Sequence, residues 1–328
     1  MGRKMGLHSL RKYAPGWVER AARRVTGDRV ESGDAGVRRL PSYRYLHDLM
    51  SRYTVDRLIR EDAAAFERRI RQFLDLRDAE MEGYSDPSRQ RDLSIRFHWG
   101  HDHDFGSFSV GGRMGRRHVS LLATFIDELG VLPRDLDGLR VLDVGCWTGG
   151  TSLLLCAMGA HVVAIDEVKK YIDCLQYMKE AFDIRNLEPR NLSLYGCVGP
   201  EFDDRFDFVL FAGVLYHVTD PVLALRITFN TLVDGGHCLV ETATHGSPRP
   251  VLLYEGPTRT LGGSAEDLSR GGWNWLVPSP LALRRMMEDV GFREILVRRR
   301  PGGRAVGAGY RERHVDMLRA GLSRRSVR

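Results

Sequence analysis

The densest chemistry in the chain sits where an apolar run meets a glycine-rich turn. Val141-Leu-Asp-Val-Gly-Cys-Trp-Thr-Gly-Gly150 carries Asp143, Gly145, Cys146, Trp147, Thr148 and Gly149 in one short stretch. Gly145 lets the backbone turn sharply and approach a ligand closely. Downstream, the apolar segment from Val162 ends in Asp166 and Glu167. An acidic side chain at that point of a nucleoside-binding fold accepts both hydrogen bonds of a ribose diol. Trp147 stands at the second glycine of the dinucleotide fingerprint Gly-x-Gly-x-x-Gly, and its bulk would crowd a pyrophosphate. A nucleoside cofactor without phosphate suits this turn better than a dinucleotide.

Two other stretches offer proton chemistry or substrate contacts. Tyr216 and His217 follow an apolar run that ends at Gly213 and Val214. An imidazole's ordinary pKa suits proton transfer near neutral pH, so His217 either takes a proton or caps and pins the next segment. Tyr216 either faces a ligand or packs. Phe97 to Phe105 gathers His98, Trp99, His101, Asp102, His103 and Asp104. That composition suits a metal site, but the one- and two-residue gaps fit a loop better than a helix face. The reading adopted is a metal-free lid. His101 and His103 are its further catalytic candidates; His98, Trp99 and Asp102 are its substrate contacts. Arg113 either grips a carboxylate through two parallel hydrogen bonds or is a surface charge. Trp273 and Trp275 either wall a pocket or bury an insertion.

These residues need elements to hold them. Apolar spacing over Val55 to Leu76 predicts a helix, 83–89 a loop, and His118 to Leu129 a helix closed by Gly130. From Arg140 the pattern alternates. Strands are expected at Arg140–Val144, Val162–Asp166, Leu192–Val198, Phe206–Gly213 and Gly236–Thr242. Helices are expected at Thr151–Met158, Val168–Ala181 and Pro221–Val233. Pro280–Val290 reads as a helix closed by Gly291, followed by strands at Glu294–Arg298 and Ala305–His314. Such alternation predicts an α/β fold with a doubly wound, mostly parallel seven-stranded sheet, preceded by a helical N-terminal extension. The organisation expected is a helical region with the lid over 1–118 and a cofactor domain over 119–328, interrupted by an insertion at 244–277.

Composition sets outer limits. The 328 residues are 43% hydrophobic, enough for a substantial core. No apolar run reaches the roughly 18 residues of a membrane span, so no membrane partner is expected. The N-terminus lacks the apolar core of a secretory signal, and a cytoplasmic location is expected. Five cysteines show no zinc or redox spacing. The net charge of +6, carried mostly by Arg, is spread along the chain with local excess at 20–24 and 298–304. Nucleic acid is therefore a weaker expectation than a small molecule.

Val141 to Gly150 resembles motif I of the class I S-adenosylmethionine-dependent methyltransferases. Gly213-Val-Leu-Tyr-His-Val-Thr-Asp-Pro221, Leu239-Val-Glu-Thr242 and the segment from Trp275 to Gly291-Phe292 resemble a narrower group. That group includes the tRNA wobble-uridine carboxymethyltransferases and many natural-product and sugar methyltransferases. The resemblance covers roughly 105–297. It implies S-adenosylmethionine as cofactor, with Asp143 and Gly145 to Gly149 around its methionine part and Asp166 at the ribose. It further implies Cys197 and Val198 beside the adenine, and Gly213 and Val214 beneath the sulfonium. The carboxymethyltransferases carry a Lys where this chain has Phe105, which favours the ordinary cofactor and weakens the tRNA reading. Methyl transfer to a small molecule is the expected function. The alternatives are tRNA modification, a non-methyl use of S-adenosylmethionine such as aminobutyryl transfer or cyclisation, and a cofactor-binding regulator.

Overall fold

Val141, Leu142 and Val144 are all buried, although neighbours in a strand point to opposite faces. A strand apolar on both faces belongs in the middle of a sheet covered by helices, and that is where the computed structural model puts it. The structure describes residues 36–74, 98–256 and 274–320. The central sheet contains β3 (Arg140–Val144), β4 (His161–Asp166), β5 (Leu187–Asn191), β6 (Phe206–Ala212), β7 (Leu232–Ala243), β10 (Arg293–Arg300) and β11 (Arg304–Tyr310). Their order is β10-β11-β7-β6-β3-β4-β5. Strands β3, β4, β5, β6 and β7 run parallel, and β11 is antiparallel to both β7 and β10. Chain order reverses between β3 and β6, so ligands are expected at the carboxyl ends of those strands.

Helices α4 (Gly150–Ala157), α5 (Lys169–Ala181), α6 (Pro221–Thr231) and α7 (Pro280–Val290) follow their strands. The start of α7 is set by Ser279, whose hydroxyl accepts from the Ala282 N–H at 3.1 Å, and by Pro280 at the first helical position. Asp220 and Pro221 do the same for α6. α8 (Met317–Ala320) ends the described chain.

The N-terminal region shares the core of the sheet domain. α1 (Pro41–Leu49) and α2 (Ala63–Leu74) send Tyr43, Leu46, Phe66, Ile70 and Phe73 into the cluster that holds Leu153, Leu154 and Leu175. The expected boundary at 118 falls inside α3 (Arg117–Ala123), which continues as one wider turn over Thr124–Glu128. The helix expected over 55–76 begins only at Ala63, because the Asp62 carboxylate captures the Ala65 N–H at 2.7 Å and starts it there. Val55–Arg57 is a separate short turn, and the loop expected at 83–89 lies outside the described residues.

The third expected strand is displaced. Leu187–Asn191 pairs with β4, while Leu194–Gly196 of the expected strand is a helical turn. The pairing segment Leu-Glu-Pro-Arg-Asn is polar and contains Pro189, tolerable because it is the edge of the sheet. The lid contains a small hairpin, β1 (His103–Asp104) with β2 (Ser109–Val110), and the insertion contains a second, β8 (Leu252–Tyr254) with β9 (Leu276–Pro278). Among the described residues, no helix is long and apolar enough to cross a membrane.

Candidate active site

The turn from β3 into α4 lies at the switch point. Asp166, at the end of β4, anchors it: one carboxylate oxygen accepts the Trp147 N–H at 3.0 Å, the other the Val168 N–H at 2.9 Å. Burial raises this carboxyl to about 6, against the pull of those two donors. Trp147 sits at a φ of 55°, left-handed and costly for a bulky residue. Its indole meets both Tyr171, at 6.0 Å, and His101, at 6.5 Å, edge to face. Glu167 accepts from the Ser193 hydroxyl. Cys197 is buried, and Val198 is exposed.

Asp143 and Cys146 point elsewhere. Asp143 is buried and accepts from the Ser152 hydroxyl at 2.6 Å, and burial raises its carboxyl to about 7. It braces the turn from behind. The Cys146 thiol is also buried, and that burial pushes it well above its ordinary value.

The lid folds down on this turn. The Gly100 N–H donates to the Thr148 hydroxyl at 2.9 Å, and the Arg113 N–H to the Trp99 carbonyl at 2.8 Å. The Asp102 carboxylate accepts the Gly112 N–H at 2.9 Å, which ties the two arms of the lid together. The arms touch so closely that a Cβ on Gly112 would stand 2.2 Å from the carbonyl carbon of His101. Gly112→Ala should therefore cost about 1–3 kcal/mol, since backbone must move to admit the methyl. Thermal denaturation and hydrogen exchange check this: the midpoint should fall, with protection lost first over 98–115. Unchanged exchange there would mean the two arms do not meet in solution.

Not every lid candidate faces the cofactor turn. His103 is buried, stacks on Phe105 at 3.9 Å, and its Nε2 lies 3.3 Å from the Tyr53 carbonyl. Trp99 is buried edge-on to Phe105. Both rings pack in the aromatic cluster around Phe105 and Phe66. Burial lowers His103 to about 4. His101 packs against Gly150 and His118, and burial beside Arg117 lowers it to about 3. Burial of this kind favours the neutral imidazole. His98 meets the Tyr171 hydroxyl through its N–H at 3.4 Å. Arg113 is exposed. Among the described residues, no group of three or more His, Cys, Asp or Glu is placed to hold a metal.

Beyond β6, Gly213 has a φ of 75°, and a Cβ there would meet only the Tyr216 hydroxyl, at 3.9 Å. The rings of Tyr216 and His217 lie 4.0 Å apart and tilted by 48° on a short turn, both half-buried. The Trp275 N–H donates to the Tyr216 carbonyl at 2.8 Å, so the insertion is fastened over this turn. Trp273 lies outside the described residues.

Sequence reasoning missed the charged group behind Tyr216. Glu241, near the end of β7, receives Arg304 from β11 through Nε and Nη2, both at 2.6 Å, and Arg117 from α3. Burial alone would raise the Glu241 carboxyl, but Arg304 and Arg117 hold it below its ordinary value. The one available clue was a Glu inside the apolar run Leu239-Val-Glu-Thr242, since a buried carboxylate requires partners.

A model of the methyltransferase domain matches residues 114–297, more than half of the chain. The chain belongs to the methyltransferase-domain family. The tRNA U34 carboxymethyltransferase of Desulfotalea psychrophila is 28% identical over 163 residues, 49% of this chain and 47% of that protein. That of Haemophilus influenzae is 30% identical over 168 residues, 50% of this chain and 49% of that protein. The chain thus spans about half the length of the curated relatives it matches. The crystal structure of the N-terminal domain of EvdMO1 with SAH bound is 19% identical, with a TM-score of 0.49, covering 76% of this chain and 98% of that one.

The methyltransferase domain is of class I and S-adenosylmethionine-dependent. Its chain is compatible with that cofactor at the switch point. Asp166 keeps lone pairs beyond the two N–H bonds it accepts, and a carboxylate can take about four. The open face of Gly213 leaves room on the other side of β3.

Proposed function

We propose that the protein transfers the methyl group of S-adenosylmethionine to a small molecule held between the lid and the insertion. The observation that carries this reading is the double cover over the carboxyl edge of the sheet. Gly100 is fastened to Thr148 on one side and Trp275 to Tyr216 on the other. Covers of this kind suit an enclosed pocket, from which water is excluded, better than an open groove for a polynucleotide. S-adenosylmethionine supplies an electrophilic methyl group. Asp166 holds the ribose, with Glu167, Cys197 and Val198 along the adenine side. The turn from Gly145 to Gly149 and Arg113 surround the aminoacyl end, and Gly213 and Val214 pass below the reacting carbon. His217, on the turn after β6, takes the acceptor's proton. Tyr216 and Trp275 wall the acceptor, and His98, His101 and Asp102 reach it from the lid.

The second reading, tRNA modification, draws on the carboxymethyltransferase relatives and the exposed Arg298 and Arg299 of β10. Labelled S-adenosylmethionine separates the two. The protein is incubated with bulk unmodified tRNA and, separately, with a deproteinised small-molecule extract. Label is expected in the low-mass fraction with S-adenosylhomocysteine as coproduct, and tRNA binding is expected to vanish by about 0.2 M salt. Label in tRNA, with a complex that survives that salt, would overturn the small-molecule reading. Methylthioadenosine as coproduct would overturn methyl transfer.

A further inference from the structure

Two guanidinium groups share one carboxylate at the carboxyl edge of the sheet. Arg117, Arg304 and Glu241 come from α3, β11 and β7, and their side chains are 31%, 15% and 5% exposed. The cluster carries one net positive charge in a partly buried place. Two Arg side chains offer ten N–H donors between them. Among the described residues, the cluster's bonds run from Arg117 Nη2 and Arg304 Nε and Nη2 to Glu241, and from Arg304 Nη2 to the Tyr216 hydroxyl at 3.4 Å. Arg117 Nε and Nη1 and Arg304 Nη1 take no part in them. A satisfied structural ion pair would balance its charges; this one leaves a charge and donors over.

The position of the cluster matters as much as its charge. The Glu241 carbonyl accepts the Gly213 N–H at 2.8 Å. The Tyr216 hydroxyl, which Arg304 contacts, is also the group that stands 3.9 Å from where a Gly213 side chain would begin. The Arg304 guanidinium lies over the Tyr216 ring, 4.7 Å from its centroid. Trp275 closes the far side through the Tyr216 carbonyl. The spare donors therefore adjoin the turn beneath the transfer site, on the side the insertion covers.

We propose that Arg117 and Arg304 form a carboxylate-binding subsite that orients an acidic acceptor beside the transfer site. This rests on the small-molecule reading above. A carboxylate matches the guanidinium fork and cancels the single surplus charge. The same chemistry is present in the aminoacyl carboxylate of the cofactor, so the test must separate acceptor from cofactor.

The probes are benzoate and its uncharged isostere benzamide, titrated by calorimetry into protein saturated with S-adenosylhomocysteine. Benzoate should bind the wild-type protein about tenfold more tightly than benzamide or better. Arg304→Gln should abolish that preference, and Arg117→Gln should reduce it severalfold. Affinity for S-adenosylhomocysteine itself should stay within about twofold in both variants, since neither residue is assigned to the cofactor. Arg117 is the more exposed, so its variant decides the matter if Arg304→Gln does not fold. Three results would overturn the proposal: equal binding of the two probes to wild type, a benzoate preference undiminished in Arg117→Gln, or a parallel loss of S-adenosylhomocysteine affinity, which would place the pair in the cofactor site. A tRNA acceptor with an intact benzoate preference would sink the small-molecule reading while leaving the subsite standing.

Discussion

Glu241→Ala should lower the unfolding free energy by about 2–4 kcal/mol, because it leaves two half-buried cations without the counter-charge they share. In the wild type the carboxylate neutralises one of the two guanidiniums and hydrogen-bonds both. Its removal leaves Arg304, which is 15% exposed, and Arg117 facing each other without a counter-charge. Neither guanidinium can escape by losing its proton at neutral pH. The site is also tied into the sheet, where Glu241 pairs with Ala212 on one side and Val306 on the other, so the chain cannot swing away to hydrate them. Glu241→Gln keeps the acceptor oxygen and the shape, and should lose less than Glu241→Ala. Denaturant titration of the ligand-free protein measures both. An unchanged midpoint for Glu241→Ala would mean that water reaches both guanidiniums, which would also weaken the case for a carboxylate subsite.

The parts of the fold that were legible in the sequence are those that burial or capping dictates locally. β3, β4 and β6 are apolar runs followed by turn residues, and they fall where the pattern puts them. α7 announces itself by Ser279 and Pro280 at its start and Gly291, with a φ of 110°, at its end. β5 is illegible for the opposite reason: a polar, proline-containing edge strand has only its partner β4 to define it. The apolar Leu192–Val198 nearby is the stronger local signal, but its core contribution comes from a turn.

The site divides along the same line. Gly145, Trp147 and Asp166 lie on consecutive elements, and one motif brings them together. Arg304 reaches Glu241 across 63 residues only because β11 runs antiparallel to β7 and sets Arg304 opposite Ala243. Nothing local in the Arg-rich segment 298–304 distinguishes Arg304 from its exposed neighbours Arg298 and Arg299. The lid shows the converse. Its histidines advertise chemistry by composition, yet His103 is drawn into the core by an aromatic neighbour, Phe105, and by the Tyr53 carbonyl. Composition says which groups are present, and only packing decides which face inward.

Asp166→Ala should weaken S-adenosylhomocysteine binding by about 3 kcal/mol, on the order of a hundredfold, through two losses that add. The first is the pair of charge-assisted bonds to the ribose that this carboxylate is proposed to accept. The second is the turn itself. Without the carboxylate, the Trp147 and Val168 N–H groups lose their acceptor, and the left-handed backbone at Trp147 loses what holds it. Asp166→Asn separates the two losses: its amide oxygen can still accept one backbone N–H, so the turn should survive better than the ribose contact. The wild-type pH dependence follows from the same group. Burial raises its carboxyl to about 6, and the ribose favours the ionised form, so affinity should be full at pH 7.5 and fall as pH drops through about 6. Asp166→Asn should bind weakly at every pH, with that fall removed. Calorimetry across pH 5 to 8 on the three proteins checks this. An Asp166→Ala variant that binds as tightly as wild type would show that the ribose sits elsewhere, and would move the cofactor away from the end of β4.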